Sequence, residues 1–204
     1  ERIQAGTTKT ITWTSSYVTT IKIELTTNNG QSWSTLAPSL PAANGSYDWL
    51  ISNTLSTNNA RIRVSDFTNS SITDSSDGVF SVGWLQVTSP NGGENWLAGS
   101  TQNITWVNSS SVQTVNIEYF ADTTWVSIAN SVNATQQFYS WLVPSLSTTT
   151  AKIRISDALS NWQISDSSNS VFSISSLTVV SPNGNEFLQA GTTHEIKWTG
   201  SSHI

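Results

Sequence analysis

Cysteine and methionine are both missing from this chain of 204 residues. Without cysteine there is no disulfide, no thiolate nucleophile and no thiolate metal ligand. Such a composition fits a surface protein that folds without redox chemistry. Without methionine no initiator remains, so the expectation is a processed chain or an excerpt. Histidine is nearly absent too: His194 and His203 are the only two, both close to the C-terminal end. A Ser-His-Asp triad needs a histidine facing its nucleophile, and a zinc site needs three or four ligands. The first 193 residues offer a histidine to neither. Charge is scarce, with 10% Asp, Glu, Lys and Arg and a net charge of −5. Nucleic acid wants clustered Lys and Arg, so it is excluded as a partner. No apolar run of 18 residues exists and no signal peptide is visible, so no membrane-spanning segment is expected.

What fills the chain instead is serine and threonine, close to a third of all residues, alternating with Ile, Val and Trp. That alternation is the period of a half-buried strand, not of a disordered tract. The pattern also repeats. Glu94-Asn-Trp-Leu-Ala-Gly99 with Asn103-Ile-Thr-Trp106 returns as Glu186-Phe-Leu-Gln-Ala-Gly191 with Glu195-Ile-Lys-Trp198. The chain opens on the same text, Glu1-Arg-Ile-Gln-Ala-Gly6 and Thr10-Ile-Thr-Trp13. The period is about 92 residues, the length of one β-sandwich module. The expected division is residues 1–83 for a first repeat without its opening strand, 84–175 for a complete second, and 176–204 for the first two strands of a third. The sequence therefore reads as a window on a longer tandem array.

Each repeat resolves into short alternating strands between turn signals. In the first these are Thr10–Thr14, Ile21–Leu25, a strand around Trp33 after Asn28-Asn-Gly30, Tyr47–Ile51, Ala60–Asp66 and Val79–Val82. In the second they are Leu85–Thr88, Asn103–Val107, Val115–Tyr119, Trp125–Ala129, Tyr139–Val143, Ala151–Asp157 and Val171–Ile174. About seven strands and no helical period predict an all-β fold of tandem immunoglobulin/fibronectin-III-like β-sandwich modules. Trp13, Trp106 and Trp198 share one inward slot and Trp49 and Trp141 another, so all five are expected in the core. The third and sixth strands should be neighbours, setting Lys22 and Glu24 against Arg61 and Arg63, and Glu118 against Lys152 and Arg154. Linkers of two residues, Gly83-Trp84 and Ser175-Ser176, predict stiff joints.

The motifs Pro-Asn-Gly-Gly-Glu-x-Trp-x-x-Gly-Ser with Ile-x-Trp (Pro90–Trp106), Tyr139–Val143, Ile153–Asp157 and Ser165–Phe172 recur in order in the first repeat. They resemble the Ser/Thr-rich immunoglobulin-like domain at the N-terminus of yeast cell-wall glucan-assembly (killer-toxin-resistance) proteins, which recurs in tandem in secreted proteins of bacteria and archaea. The resemblance implies an extracellular, cell-surface or matrix β-sandwich, and it transfers no catalytic residue.

Asp74-Ser-Ser-Asp77 and Asp166-Ser-Ser-Asn169 carry oxygens of the kind calcium takes. Turn capping by Asp and Ser explains them more simply, so neither a metal nor another cofactor is expected. No pair of acids is set across a cleft as glycoside hydrolysis requires, so the chain is not expected to be an enzyme. Trp84 and Trp162 are not reproduced in the other copies and are candidates for contact with a neighbouring module or a sugar ring, Trp162 together with Tyr17 or Phe67. Sequons at Asn69, Asn103, Asn108 and Asn133 are candidate N-glycosylation sites. The expected function is a non-catalytic structural module of an extracellular filament, stalk or cell-surface fibre. Its partners would be adjacent repeats or copies of itself, and glycans. A carbohydrate-binding or adhesion module of a larger secreted protein is the alternative. Leu177, Thr178, Val179 and Val180 form a candidate donor strand for an open edge in a neighbour.

Overall fold

The structure, a computed structural model, describes residues 1–121 and 123–201. His203 therefore lies outside the described residues. The first repeat contains β1 (Arg2–Gln4), β2 (Thr8–Thr12), β3 (Thr20–Thr26), β4 (Ser34–Pro41), β5 (Ser46–Leu50), β6 (Thr57–Asp66), β7 (Thr73–Ser75) and β8 (Phe80–Gly83). The second contains β9 (Leu85–Ser89), β10 (Asn95–Leu97), β11 (Thr101–Asn108), β12 (Thr114–Ala121), β13 (Thr124–Asn133), β14 (Phe138–Leu142), β15 (Thr148–Asp157), β16 (Ser165–Ser167) and β17 (Phe172–Ser175). Last come β18 (Leu177–Ser181) and β19 (Lys197–Gly200).

The chain is all-β, and its strands form sandwiches of the immunoglobulin/fibronectin-III kind. In the second, one sheet runs β10-β17-β15-β12-β13 with β16 on β15, and the facing sheet runs β14-β11-β9. In the first, the large sheet runs β1-β8-β6-β3-β4 with β7 on β6, and the facing sheet holds only β2 and β5. The third and sixth strands are neighbours as expected, β3 on β6 and β12 on β15.

The strand count exceeds seven because a short extra strand pairs beside the sixth, β7 on β6 and β16 on β15, and because the opening strand changes sheets. β9 pairs antiparallel with β11. After the turn at Pro90–Gly93 the chain crosses over, and β10 pairs parallel with β17. Proline ends the first ladder because it has no N–H to give. β1 repeats the crossover against β8. The hairpin turn at Asn28-Asn-Gly30 forms as expected, with Asn29 and Gly30 at φ of 56° and 92°. Asn tolerates this left-handed region and glycine enters it freely.

Each core is built from the alternation. Along β12, Val115 and Ile117 are buried between half-buried Asn116 and Glu118. Trp106 is 1% exposed, and its indole N–H also donates to the Ala134 carbonyl at 3.1 Å. Trp13 repeats that bond to Ala42 at 2.9 Å. Ala42 and Ala134 open short 3-10 turns that strand periodicity does not announce. Trp96 stacks against Trp141 and Phe172, with ring centroids 6.1 and 5.1 Å apart.

Three equivalent tryptophans thus meet three environments. Trp106 is fully buried and Trp13 half-buried, while Trp198 is 64% exposed. Trp198, expected in the core, is exposed on β19. β19 pairs only with β18, and among the described residues no sheet faces that pair. A ring on a strand is buried by the opposing sheet, not by its own.

Candidate functional site

The ion pairs lie where β3 meets β6 and β12 meets β15. Glu24 stands opposite Arg63, and Glu118 opposite Arg154. Arg63 donates twice to Glu24 Oε2, at 3.0 and 2.7 Å, while Lys22 reaches Oε1 at 2.9 Å. Trp33 covers the Arg63 guanidinium at 4.2 Å, so this pair is partly shielded from water. Arg61 turns away instead, to Asn29 and to the Ser76 and Asp77 carbonyls.

Burial alone would raise the Glu24 pKa, but the hydrogen bonds and positive charge of Lys22 and Arg63 outweigh it and hold the carboxyl below its ordinary range. A carboxylate depressed in the folded state contributes stability that is present above the unfolded pKa, about 4.3, and lost as pH falls through the folded value. Denaturant melts of the first sandwich between pH 6 and 3 should therefore show an acid loss that Glu24→Gln flattens.

Trp162 closes a second stack. Arg154 lies between Trp125 and Trp162, 4.2 Å from each ring. Trp162 is 42% exposed, yet one of its faces is given to the guanidinium. Tyr17 and Phe67 are exposed, but they sit in loops of the first sandwich while Trp162 belongs to the second. Of the sequon asparagines, Asn69, Asn103 and Asn133 are exposed. Asn108 is not; its amide nitrogen donates to the Ser109 and Val112 carbonyls.

The joint between the sandwiches carries several hydrogen bonds. A single residue, Trp84, separates β8 from β9. It is half-buried, its N–H donates to Ser109 Oγ at 3.0 Å, and its carbonyl accepts from the Ser109 N–H at 3.0 Å. From β1, Arg2 reaches across to the buried carboxylate of Asp157 and to the Ser111 carbonyl at 2.8 Å. The Gln4 side-chain oxygen accepts from the Ser165 N–H at 3.0 Å, and Ser56 Oγ accepts from the Ser111 N–H at 3.2 Å. Gly83 lies beneath. A Cβ there would sit 2.4 Å from Ser111 Oγ and 2.9 Å from Ser109 Oγ, so any side chain would force these hydroxyls to move. These bonds come from β1, the loop before β6 and the linker on one side. On the other they come from the loop before β12, from β15 and from β16. Contacts spread this widely oppose both bending and twisting.

A second feature is how the opening strand is held. In the second sandwich Leu85 and Val87 of β9 are buried, and the Val87 N–H donates to Asp166 Oδ2 at 2.8 Å. Ser168 Oγ donates to the Pro90 carbonyl at 2.7 Å. The recurring Asp-Ser-Ser motif therefore holds the opening strand, a role beyond the turn capping expected for it. In the first sandwich, among the described residues, β2 pairs only with β5. A groove of about 820 Å³ runs along its other edge, lined by Ile11, Trp13, Ile62, Val64, Ile72 and Asp74. Ile72 is 51% exposed where its counterpart Ile164 is 0%. One buried cluster fills the second sandwich, while the first holds two, bridged by the half-buried Ile11, Leu36, Tyr47 and Ile62.

Among the described residues no cluster of His, Cys, Asp or Glu has the form of a metal site, and no helix is long and apolar enough to cross a membrane. No protein-family model matches the sequence, and no curated protein does. Among solved structures, the chain is similar to the fibronectin(III)-like modules of Clostridium thermocellum CbhA. That match has 15% identity and a TM-score of 0.30, covering 86% of this chain and 87% of that one. It is also similar to Bacteroides ovatus SGBP-B in complex with a mixed-linkage heptasaccharide, at 15% identity and TM-score 0.29, covering 87% of this chain and 44% of that one. A chimeric titin Z1Z2 matches at 12% identity and TM-score 0.28, with 85% and 90% covered. The fold assignment rests on the strand order and pairing, not on these likenesses.

Proposed function

We propose that this chain is a non-catalytic structural segment of an extracellular filament, stalk or cell-surface fibre. Residues 1–83 and 84–175 form two sandwiches in it, and 176–204 open a third. The observation that carries this reading is the joint. A one-residue linker, a partly buried charge pair and main-chain bonds on both sides suit a part whose task is to hold its neighbours at a fixed angle. The Ser/Thr-rich, weakly charged surface and the resemblance to tandem cell-wall modules support an extracellular setting. Exposed asparagines at 69, 103 and 133 suit glycan attachment better than Asn108.

A carbohydrate-binding module would need free aromatic faces set together. Trp162 gives one face to Arg154, which favours the structural reading over the adhesive one. The test is immunogold labelling of intact producing cells with antibody against the chain. Gold along extended surface fibres is the expected result. Label confined to the cytoplasm, or to surface material with no extended structure, would overturn the proposal.

A further inference from the structure

We propose that the cleft at the joint between the two sandwiches binds a short stretch of neutral saccharide. The cleft has a volume of about 510 Å³. It is lined by Gln4 and Asn53 of the first sandwich, by the linker residue Trp84, and by Gln86, Asp166 and Asn169 of the second. Junctions between domains are preferred places for small-ligand clefts, and the volume lies in their usual range.

The lining follows from the sequence. Successive side chains of a strand point to opposite faces, so burial of Leu85 and Val87 turns Gln86 outward to the cleft. Trp84 packs against the core of the first sandwich yet stays half-buried. Its indole N–H has no hydrogen-bond partner among the described residues, whereas those of Trp13 and Trp106 donate to carbonyls. The side chains of Asn53, Gln86 and Asn169 also have no hydrogen-bond partner among the described residues. Gln4 commits only its oxygen, to the Ser165 N–H, and Asp166 commits one oxygen, to the Val87 N–H.

This set of groups selects the ligand class. A free amide offers both donor and acceptor, which matches sugar hydroxyls that also do both, and an indole takes the apolar C–H face of the ring. Among the described residues no Lys or Arg lines the cleft and Asp166 is a carboxylate, so an anionic ligand is disfavoured. Gln4, Trp84 and Gln86 correspond to Leu97, Ser176 and Thr178 in the next repeat, so the sandwich does not need an amide or an indole at those places. Packing accounts for the apolar part of Trp84 but not for the unbonded amides around it. A single indole is not the flat aromatic platform of an adhesive module, so the site adds a ligand to the structural reading. A saccharide held by Gln4 and Asn53 on one side and by Gln86 and Asn169 on the other bridges the two sandwiches.

The probes are cellotetraose, laminaritetraose, maltotetraose and mannotetraose, each titrated into the intact isotope-labelled chain and followed by NMR of the side-chain N–H groups. At least one should saturably shift the Trp84 indole and Gln86 amide signals. Its affinity should fall about tenfold or more in Trp84→Ser and in Gln86→Thr, which carry the next repeat's residues. Gln86 is exposed, so its variant keeps the test valid if Trp84→Ser fails to fold. Trp162→Ala should leave the affinity unchanged. No shift with any probe overturns the site, as do shifts that survive both joint variants. Tighter binding of tetragalacturonate than of every neutral probe overturns the ligand class. Failure in any of these ways leaves the fibre reading standing, because that reading rests on the bonds of the joint itself.

Discussion

Trp106→Ala is expected to cost the second sandwich about 3–5 kcal/mol, against about 1–2 kcal/mol for Trp13→Ala in the first. The two rings occupy equivalent slots, and both donate to the carbonyl of an alanine that opens a 3-10 turn. They differ in what covers them. Trp106 is sealed by β9, with Val87 opposite it, and packs into one continuous core. Trp13 lines the groove and packs half-buried against one cluster of its core, so its removal deletes contacts on fewer sides. A domain of this size is stable by only about 5–15 kcal/mol, so the Trp106 change should remove a large part of the second sandwich's margin. Urea unfolding followed by amide NMR, which reads each sandwich separately, checks the difference. Equal costs at the two positions would mean that the groove is already closed in solution.

Asp157→Ala should be the most damaging change at the joint, by about 3–5 kcal/mol, because it strands a partly buried arginine. Asp157 is fully buried and takes Arg2 on one oxygen, while its other oxygen caps the Leu159 N–H at 3.2 Å. The counterpart Asp66 caps Thr68 and Asn69 in the same manner, makes no ion pair among the described residues and stays partly exposed. Asp66→Ala should therefore lose only its turn-capping bonds and cost much less than Asp157→Ala. Asp157→Asn keeps the capping oxygen and removes the charge, which separates the two roles. Gly83→Leu attacks the same joint sterically, driving a side chain into Ser109, Ser111 and Val112. It should leave both sandwiches folded and free their relative orientation.

Much of this architecture is legible in the residues. Period-two alternation located the strands, and the recurring tryptophans marked the inward slots at Trp49, Trp106 and Trp141. The alternation of Glu24 and Arg63 on neighbouring strands announced their pairing. The strand switch was not legible, because β1 and β10 are three residues long and too short to show a period. Burial of a ring such as Trp198 depends on a facing sheet, which the residues Lys197–Gly200 do not themselves report.

The joint left a fainter signal. Arg2 stands where the other copies have Asn95 and Phe187, so the residue that breaks the repeat is the one that grips the neighbour. Gly83 breaks it likewise, against Ser175. Positions that repeat build the sandwich, and those that depart from the repeat build the contact between sandwiches.

The central claim is that the two sandwiches are held as one body. Residual dipolar couplings of the backbone amides, measured for the intact chain in a dilute aligned medium, test it most directly. One alignment tensor fitting both sandwiches, and splitting into two in Gly83→Leu, is the predicted result. Two independent tensors in the unmodified chain would contradict the account.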